Sequence, residues 1–380
     1  MEHCVGPSSP SPPWSQAYTN SDRVSFLIVV QRPFAWSVPA TCACGKLSGA
    51  VVELSPPPLT ASNTPGFEET STHLRQRDRD RHGCCTPPEN HNWHTRNLKC
   101  ELTAPCDSEF LELRYTAATE RLAIEVVPAM GGAVVCTPRF ARKLASGHLS
   151  TGYLGEWLAH YAGRDVTHAL LYSDECLEEV LTPLVLEKQA AGSGLQVRIV
   201  DISRARDFPA WYHNQILAMR DCWGRAVAGG AGWMISMDMD EMVLVPEGWS
   251  RAPAFASAAA VSFGSLIPCA GGEQHQCLRT ARGHRKYALR TTERTGAGSL
   301  QPPAFIHGDP RELALASGSG MYVMHFSRCE LGGFKARSHD GDWLTVMLKD
   351  RGWPAATIED LQNTTKLPSC PLDHPTWTYY

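Results

Sequence analysis

The sequence predicts an α/β fold class built on a mostly parallel central sheet. Between residues 130 and 240, short apolar runs alternate four times with amphipathic stretches, the pattern of strands joined by crossover helices. Two of those runs are followed directly by acidic residues, and ligands of parallel sheets gather beyond the carboxyl ends of strands. The composition, 43% hydrophobic and 19% charged, is that of a globular chain.

The elements follow in order. Val134 to Cys136 reads as a strand, Gly155 to Ala162 as a helix, and Val166 to Tyr172 as a strand ending at Ser173 and Asp174. A helical stretch from Cys176 to about Ala190 precedes the turn Gly192, Ser193, Gly194 and a strand from Leu195 to Ile202. Pro209 suits the first turn of a longer helix, whose apolar positions Tyr212, Ile216, Met219 and Trp223 recur at helical spacing. The turn Gly229, Gly230 then leads into a strand from Trp233 to Met237.

Residues 1–95 read differently. Twelve of the 27 prolines fall in the first 100 residues, and the run Arg77, Asp78, Arg79, Asp80, Arg81 cancels its own charge. A disordered or poorly structured leader is the expectation there, with a tail over 346–380. The longest early apolar run, Phe26 to Val30, has five residues, against about 20 for a membrane span and roughly 7 to 15 for a signal-peptide core. No membrane span is expected.

The 35 basic and 39 acidic side chains leave a net charge of −4, which argues against a broad nucleic-acid-binding surface. The fourteen cysteines include no pair at the spacing of a zinc ribbon. They are too sparse to declare a disulfide scaffold, and buried free thiols are the plain expectation for those in apolar runs.

The chemistry is expected at Asp238, Asp240 and Glu241, directly after the strand Trp233 to Met237. Asp-x-Asp pairs occur three times, at 78/80, 238/240 and 340/342, so spacing alone says little and the strand before the second pair sets it apart. In extended chain, carboxylates two residues apart lie about 6.6 Å from each other and repel by roughly 2.5 kcal/mol at an effective dielectric near 20. A positive partner is therefore expected, either a divalent cation, Mn2+ or Mg2+, with a phosphate, or an arginine such as Arg220 or Arg225.

The stretch Tyr212 to Met242, with Tyr212, Gln215, Asp221 and Cys222 on one helix and then Asp238, Asp240 and Glu241, resembles the core of glycosyltransferase family 92. Val134, Val135, Cys136 and Pro138 are similar to that family's opening strand, and Glu156 to Tyr161 to its first helix. Phe263, Gly264, Ser265 resemble its Phe-Gly-Ser turn, Lys286 to Arg290 its basic strand, and Met324, His325, Phe326 its closing element. The resemblance spans about residues 130–345, the expected catalytic domain.

That resemblance implies a GT-A-type, Rossmann-like nucleotide-sugar fold. It also implies transfer of a hexose, often galactose, from a UDP-sugar to a glycan acceptor with inversion, in the Golgi lumen or at its membrane. Asp238 and Asp240 would hold the metal, with His325 as third protein ligand. Asp174 would serve the nucleotide, or else cap a helix; Gln215 and Asp221 would do so, or else pack or cap. Lys286 would neutralise phosphate. The base that inversion requires is sought among Glu273, Asp309, Asp340 and Asp342, with Glu273 preferred.

Departures from the family's pattern are the missing signal-anchor, the unlike opening 95 residues, and Leu266, Ile267 after the Phe-Gly-Ser segment. A glycosylation sequon stands at Asn363 to Thr365. The rival expectations are a non-catalytic nucleotide-sugar or glycan-binding protein and a metal-dependent phosphoryl-transfer enzyme. A triphosphatase is disfavoured, because no G-x-x-x-x-G-K phosphate loop is present.

Overall fold

The computed structural model describes residues 14–33, 37–54, 93–116, 118–138, 151–162, 164–173, 194–202, 215–239, 241–244, 260–268, 278–280, 286–292 and 322–325. Among them lie sixteen strands and two helices.

The first seven strands are β1 (Ser15–Thr19), β2 (Ser25–Pro33), β3 (Thr41–Cys44), β4 (Leu47–Glu53), β5 (Trp93–Glu101), β6 (Phe110–Arg114) and β7 (Thr119–Val126). They close into a barrel in the order β1-β2-β5-β4-β3-β6-β7, sealed by a parallel pairing of β1 with β7. The side-chain period of two explains β2. Phe26, Ile28 and Val30 fill the barrel with Leu98, Leu111 and Leu113, while Leu27 and Val29 face outward into a second apolar cluster. A strand buried on both faces reads as an unbroken apolar run, which is why Phe26 to Val30 carries no polar alternation.

The remaining strands are β8 (Ala133–Thr137), β9 (Val166–Ser173), β10 (Gln196–Asp201), β11 (Trp233–Ser236), β12 (Glu241–Leu244), β13 (Ala260–Pro268), β14 (Leu278–Thr280), β15 (Lys286–Arg290) and β16 (Tyr322–His325). They form one sheet in the order β10-β9-β8-β11-β15-β13-β16-β12, with β14 on β13. The helices are α1 (Thr151–Ala162) and α2 (Gln215–Ala228). Trp157, Leu158 and Tyr161 of α1 cover one sheet face over Val135, Ile235, Phe263 and Val323. On the other face α2 lies between sheet and barrel, packing Met219, Cys222, Trp223 and Ala226 with Cys136 and Met234 of the sheet and Leu27 and Val29 of β2. Every residue from Leu217 to Ala226 is buried, as expected for a helix enclosed on all sides. Gly224 permits the close approach: a Cβ there would stand 3.3 Å from both the Tyr18 ring and a Val29 methyl.

Several expectations are corrected. The α/β, GT-A-type fold class with a mostly parallel sheet does not hold. Strand dominates the described residues, a barrel accounts for seven strands, and the sheet is mixed. Its β10–β9, β9–β8, β8–β11 and β13–β16 pairings are parallel, whereas β11–β15, β15–β13, β13–β14 and β16–β12 are antiparallel. The expected disordered leader contributes β1 to β4 and the start of β5. Phe263, Gly264 and Ser265 sit within β13 rather than in a turn. Buried free thiols are the plain expectation for cysteines in apolar runs, with pairing left open; six cysteines are paired, Cys42 with Cys100, Cys44 with Cys106 and Cys136 with Cys222. The helix expected from Cys176 and the residues around Pro209 and Tyr212 lie outside the described residues.

Candidate functional site

The parallel strands contain a reversal of order. The chain leaves β8 for β9 and β10 on one side, then returns through α2 to pair β11 on the other side of β8. Crevices beyond the carboxyl ends of strands at such a switch point are where open sheets bind ligands. The short segment from Met237 to Glu241 lies at the carboxyl end of β11, in that position.

Its geometry is built by three elements. The Asp238 N–H donates to Glu241 Oε2 at 2.9 Å, and the Glu241 N–H donates back to the Asp238 carbonyl at 3.1 Å, closing a tight turn. Lys286, the first residue of β15, places Nζ 2.8 Å from Asp238 Oδ2 and 3.2 Å from Glu241 Oε2. Burial alone would push the Lys286 ammonium down, but the Asp238 and Glu241 carboxylates outweigh it and hold the lysine protonated above its ordinary range. The Lys286 side chain is 1% exposed and Glu241 5%, whereas Asp238 retains 21%. Asp238 is the member that a solute can reach.

Helix α1 anchors the far side of the turn. Trp157 Nε1 donates to the Glu241 carbonyl at 3.0 Å, and the Tyr161 hydroxyl donates to the same oxygen at 3.3 Å while accepting the Val243 N–H. His160 Nε2 lies 2.8 Å from the Val243 carbonyl, so that nitrogen carries the proton. Burial, and then the Arg164 charge, hold the His160 imidazole well below its ordinary value and so neutral, against the opposing pull of the bond to the Val243 carbonyl. Two fully buried hydroxyls, Thr137 Oγ1 at the end of β8 and Ser236 Oγ at the end of β11, have no partner among the described residues. An unpaired buried hydroxyl costs about 1–3 kcal/mol, and both stand at strand ends bordering the switch point.

Asp221 belongs elsewhere. It is fully buried, accepting from the Tyr18 hydroxyl, from the Tyr172 hydroxyl at 2.7 Å and from Arg225 Nε at 2.8 Å. Arg225 continues to Glu125 of β7, which also meets Arg198 of β10. Asp221 thus joins barrel, α2 and sheet through a fully buried carboxylate that protein donors engage. Gln215 opens α2 and is half-buried. His325 ends β16, and backbone register sets it opposite Glu241; its side chain is outside the described set. Asp174, Asp240, Glu273, Asp309, Asp340 and Asp342 also lie outside it. Among the described residues no three His, Cys, Asp or Glu side chains converge as a metal cage.

Sequence reasoning expected a positive group at the acidic turn and named a cation or an arginine; the structure places Lys286 there. It also missed the Trp157, His160, Tyr161 set, whose signal is three polar aromatics at helical spacing on one face.

No protein-family description matches this chain, and no curated protein does. Among solved structures, the chain is similar to the crystal structure of 4-diphosphocytidyl-2C-methyl-D-erythritol synthase from Anaerococcus prevotii DSM 20548. The identity is 9%, the match covers 43% of this chain and 70% of that one, and the TM-score is 0.24. A likeness at that level supports no conclusion about fold or activity.

Proposed function

We propose that the chain is a metal-dependent transferase that moves a hexose, galactose in the favoured reading, from a UDP-sugar to a glycan acceptor with inversion. The observation that supports it is the acidic turn at the switch point, with a partly exposed Asp238 and the backbone of His325 brought opposite Glu241 from 84 residues along the chain.

The donor chemistry fits a hard divalent cation. Asp238 and Asp240 offer carboxylate oxygens, which Mn2+ and Mg2+ prefer, and the orphaned hydroxyls of Thr137 and Ser236 await polar partners. Glu241 is not a ligand in this reading, because its side chain is buried and its Oε2 accepts the Asp238 N–H; it shapes the turn. Bound there, the metal would supply Lewis-acid stabilisation of a departing diphosphate. The acceptor hydroxyl oxygen attacks the anomeric carbon, the bond to UDP breaks, and the hydroxyl proton passes to a carboxylate base, for which Glu273 is the candidate. Lys286, at 1% exposure, acts on the carboxylates rather than directly on phosphate.

The disulfides suit an oxidising compartment, in keeping with a Golgi-lumenal site of action. No helix among the described residues is long and apolar enough to cross a membrane. Purified protein with Mn2+ and a panel of UDP-hexoses should release UDP, and should transfer the sugar when glycan acceptors are added. Asp238→Asn and Asp240→Asn should lose this activity. Metal-dependent UDP binding without turnover would identify a nucleotide-sugar-binding protein instead; absence of both refutes the reading.

A further inference from the structure

We infer that the Cys136–Cys222 disulfide positions the acidic turn, so that the turn takes its described geometry only in the oxidised chain. This holds whichever ligand the turn receives.

The turn from Met237 to Glu241 is held at both ends. At the far end, Trp157 and Tyr161 of α1 donate to the Glu241 carbonyl. At the near end, the Met237 N–H donates to the Cys136 carbonyl at 2.9 Å, one residue before Asp238. Parallel register sets Ser236 opposite Cys136, so the end of β8 fixes where β11 releases the chain. The Cys136 side chain is bonded in turn to Cys222, in a helix whose residues from Leu217 to Ala226 are all buried. Cys222 adjoins Asp221, which the hydroxyls of Tyr18 and Tyr172 engage, and Asn97 Nδ2 of β5 donates to the Arg220 carbonyl at 3.2 Å. Barrel and helix therefore reach the turn through a covalent link followed by a backbone hydrogen bond.

Absence of that link should be felt at the turn. It forms by exchange: the two cysteine thiols pass two hydrogens to a disulfide oxidant, giving one S–S bond in the chain and two thiols on the oxidant. In the reduced chain the two sulfurs must stand at van der Waals rather than bonding separation. Both cysteines are 0% exposed, and a close-packed interior offers no spare room. The helix is pinned from barrel and sheet, so the end of β8 gives way, and the Met237 bond with it. Cys42–Cys100 and Cys44–Cys106 lie in the barrel cluster instead, and serve as internal controls.

Hydrogen exchange of the folded full chain, read by mass spectrometry, tests this. In Cys136→Ala with Cys222→Ala, the peptide carrying Met237, Asp238 and Glu241 should exchange faster by about tenfold or more, while peptides of β3 and β6 change by less than about threefold. Cys42→Ala with Cys100→Ala, or Cys44→Ala with Cys106→Ala, should leave the turn peptide within about threefold of wild type. Cys136→Val with Cys222→Ala refills the space of the sulfurs without the bond, and should loosen the turn as the alanine pair does. Unchanged exchange at the turn in either folded Cys136 variant overturns the inference, as does an equal loss of protection there when a barrel disulfide is removed. If neither Cys136 variant folds, the bond serves the whole fold and the inference is overturned as well. The exchange is run without metal or nucleotide, so failure of the transferase reading leaves this result untouched.

Discussion

Two buried charge networks in this molecule use the same ingredients to different ends. On α2, Asp221 and Arg225 sit at 0% and 4% side-chain exposure, with both tyrosine hydroxyls of Tyr18 and Tyr172 directed at the carboxylate. At the end of β11, Lys286 and Glu241 are as deeply buried, yet Asp238 remains 21% exposed and unpartnered hydroxyls stand nearby. Composition does not separate them, since each is carboxylate plus cation. Enclosure does: the Asp221–Arg225 pair is covered by barrel, helix and sheet, and the second network lies at the carboxyl end of the interior strand β11 with Asp238 partly exposed.

The comparison fails if the two networks respond alike to loss of a carboxylate. Asp221→Asn leaves Arg225 with Glu125 as its described carboxylate partner and the Tyr18 and Tyr172 hydroxyls facing a neutral amide, and should destabilise the fold by about 2–4 kcal/mol in urea unfolding. Replacing Cys136 and Cys222 together by serine removes the tie between β8 and α2, whose ends are 86 residues apart. The expected loss is about 2–4 kcal/mol, with refolding yield as a second readout. Asp238→Asn should cost only about 1 kcal/mol, because Lys286 keeps Glu241, while metal-dependent UDP binding is lost. A stability loss as large as that of Asp221→Asn would erase the distinction.

Smaller effects sharpen the picture at the turn. His160 is held neutral below its ordinary value. As pH falls below about 6.5, the unfolded chain therefore takes up a proton that the folded chain refuses, and stability declines. The slope attributable to this group approaches about 1.4 kcal/mol per pH unit, and urea midpoints between pH 7.5 and 5.5 should show it diminished in His160→Gln. Trp157→Phe removes one donor to the Glu241 carbonyl and should cost about 1 kcal/mol, measurable by thermal melting, with less than threefold loss of metal-dependent UDP affinity.

Local elements were legible where apolar runs end sharply. The expected strands at Val134, Val166, Leu195 and Trp233 match β8 to β11, and the helix carrying Ile216, Met219 and Trp223 matches α2. The barrel was not legible. Its β4 alternates over only seven residues, and β2 pairs with β5 between partners 60 to 76 residues apart, a contact that no local pattern encodes. Cysteine spacing could not foretell which partners meet, because pairing is settled by the barrel that brings Cys42 and Cys44 to β5 and its following loop. The acidic turn was legible from its place after a strand; its lysine was not, because Lys286 reaches it only through the antiparallel β11–β15 register, which sets Ser236 opposite Tyr287. Nor could helical periodicity tell a ligand-facing Asp221 from one enclosed by the barrel.

The hairpin formed by β4 and β5 changes where this protein can be cut. The strands are antiparallel neighbours, with Glu53 opposite Leu98, so residues 55–92 are an insertion within a hairpin and not a passage between domains. Trimming the chain to start near residue 93 would discard four barrel strands, strip Tyr18 from Asp221, and leave Cys100 and Cys106 as lone thiols. A cut or fusion between residues 54 and 93 keeps all seven barrel strands and the paired cysteines in one chain order, whereas a start at residue 93 does not.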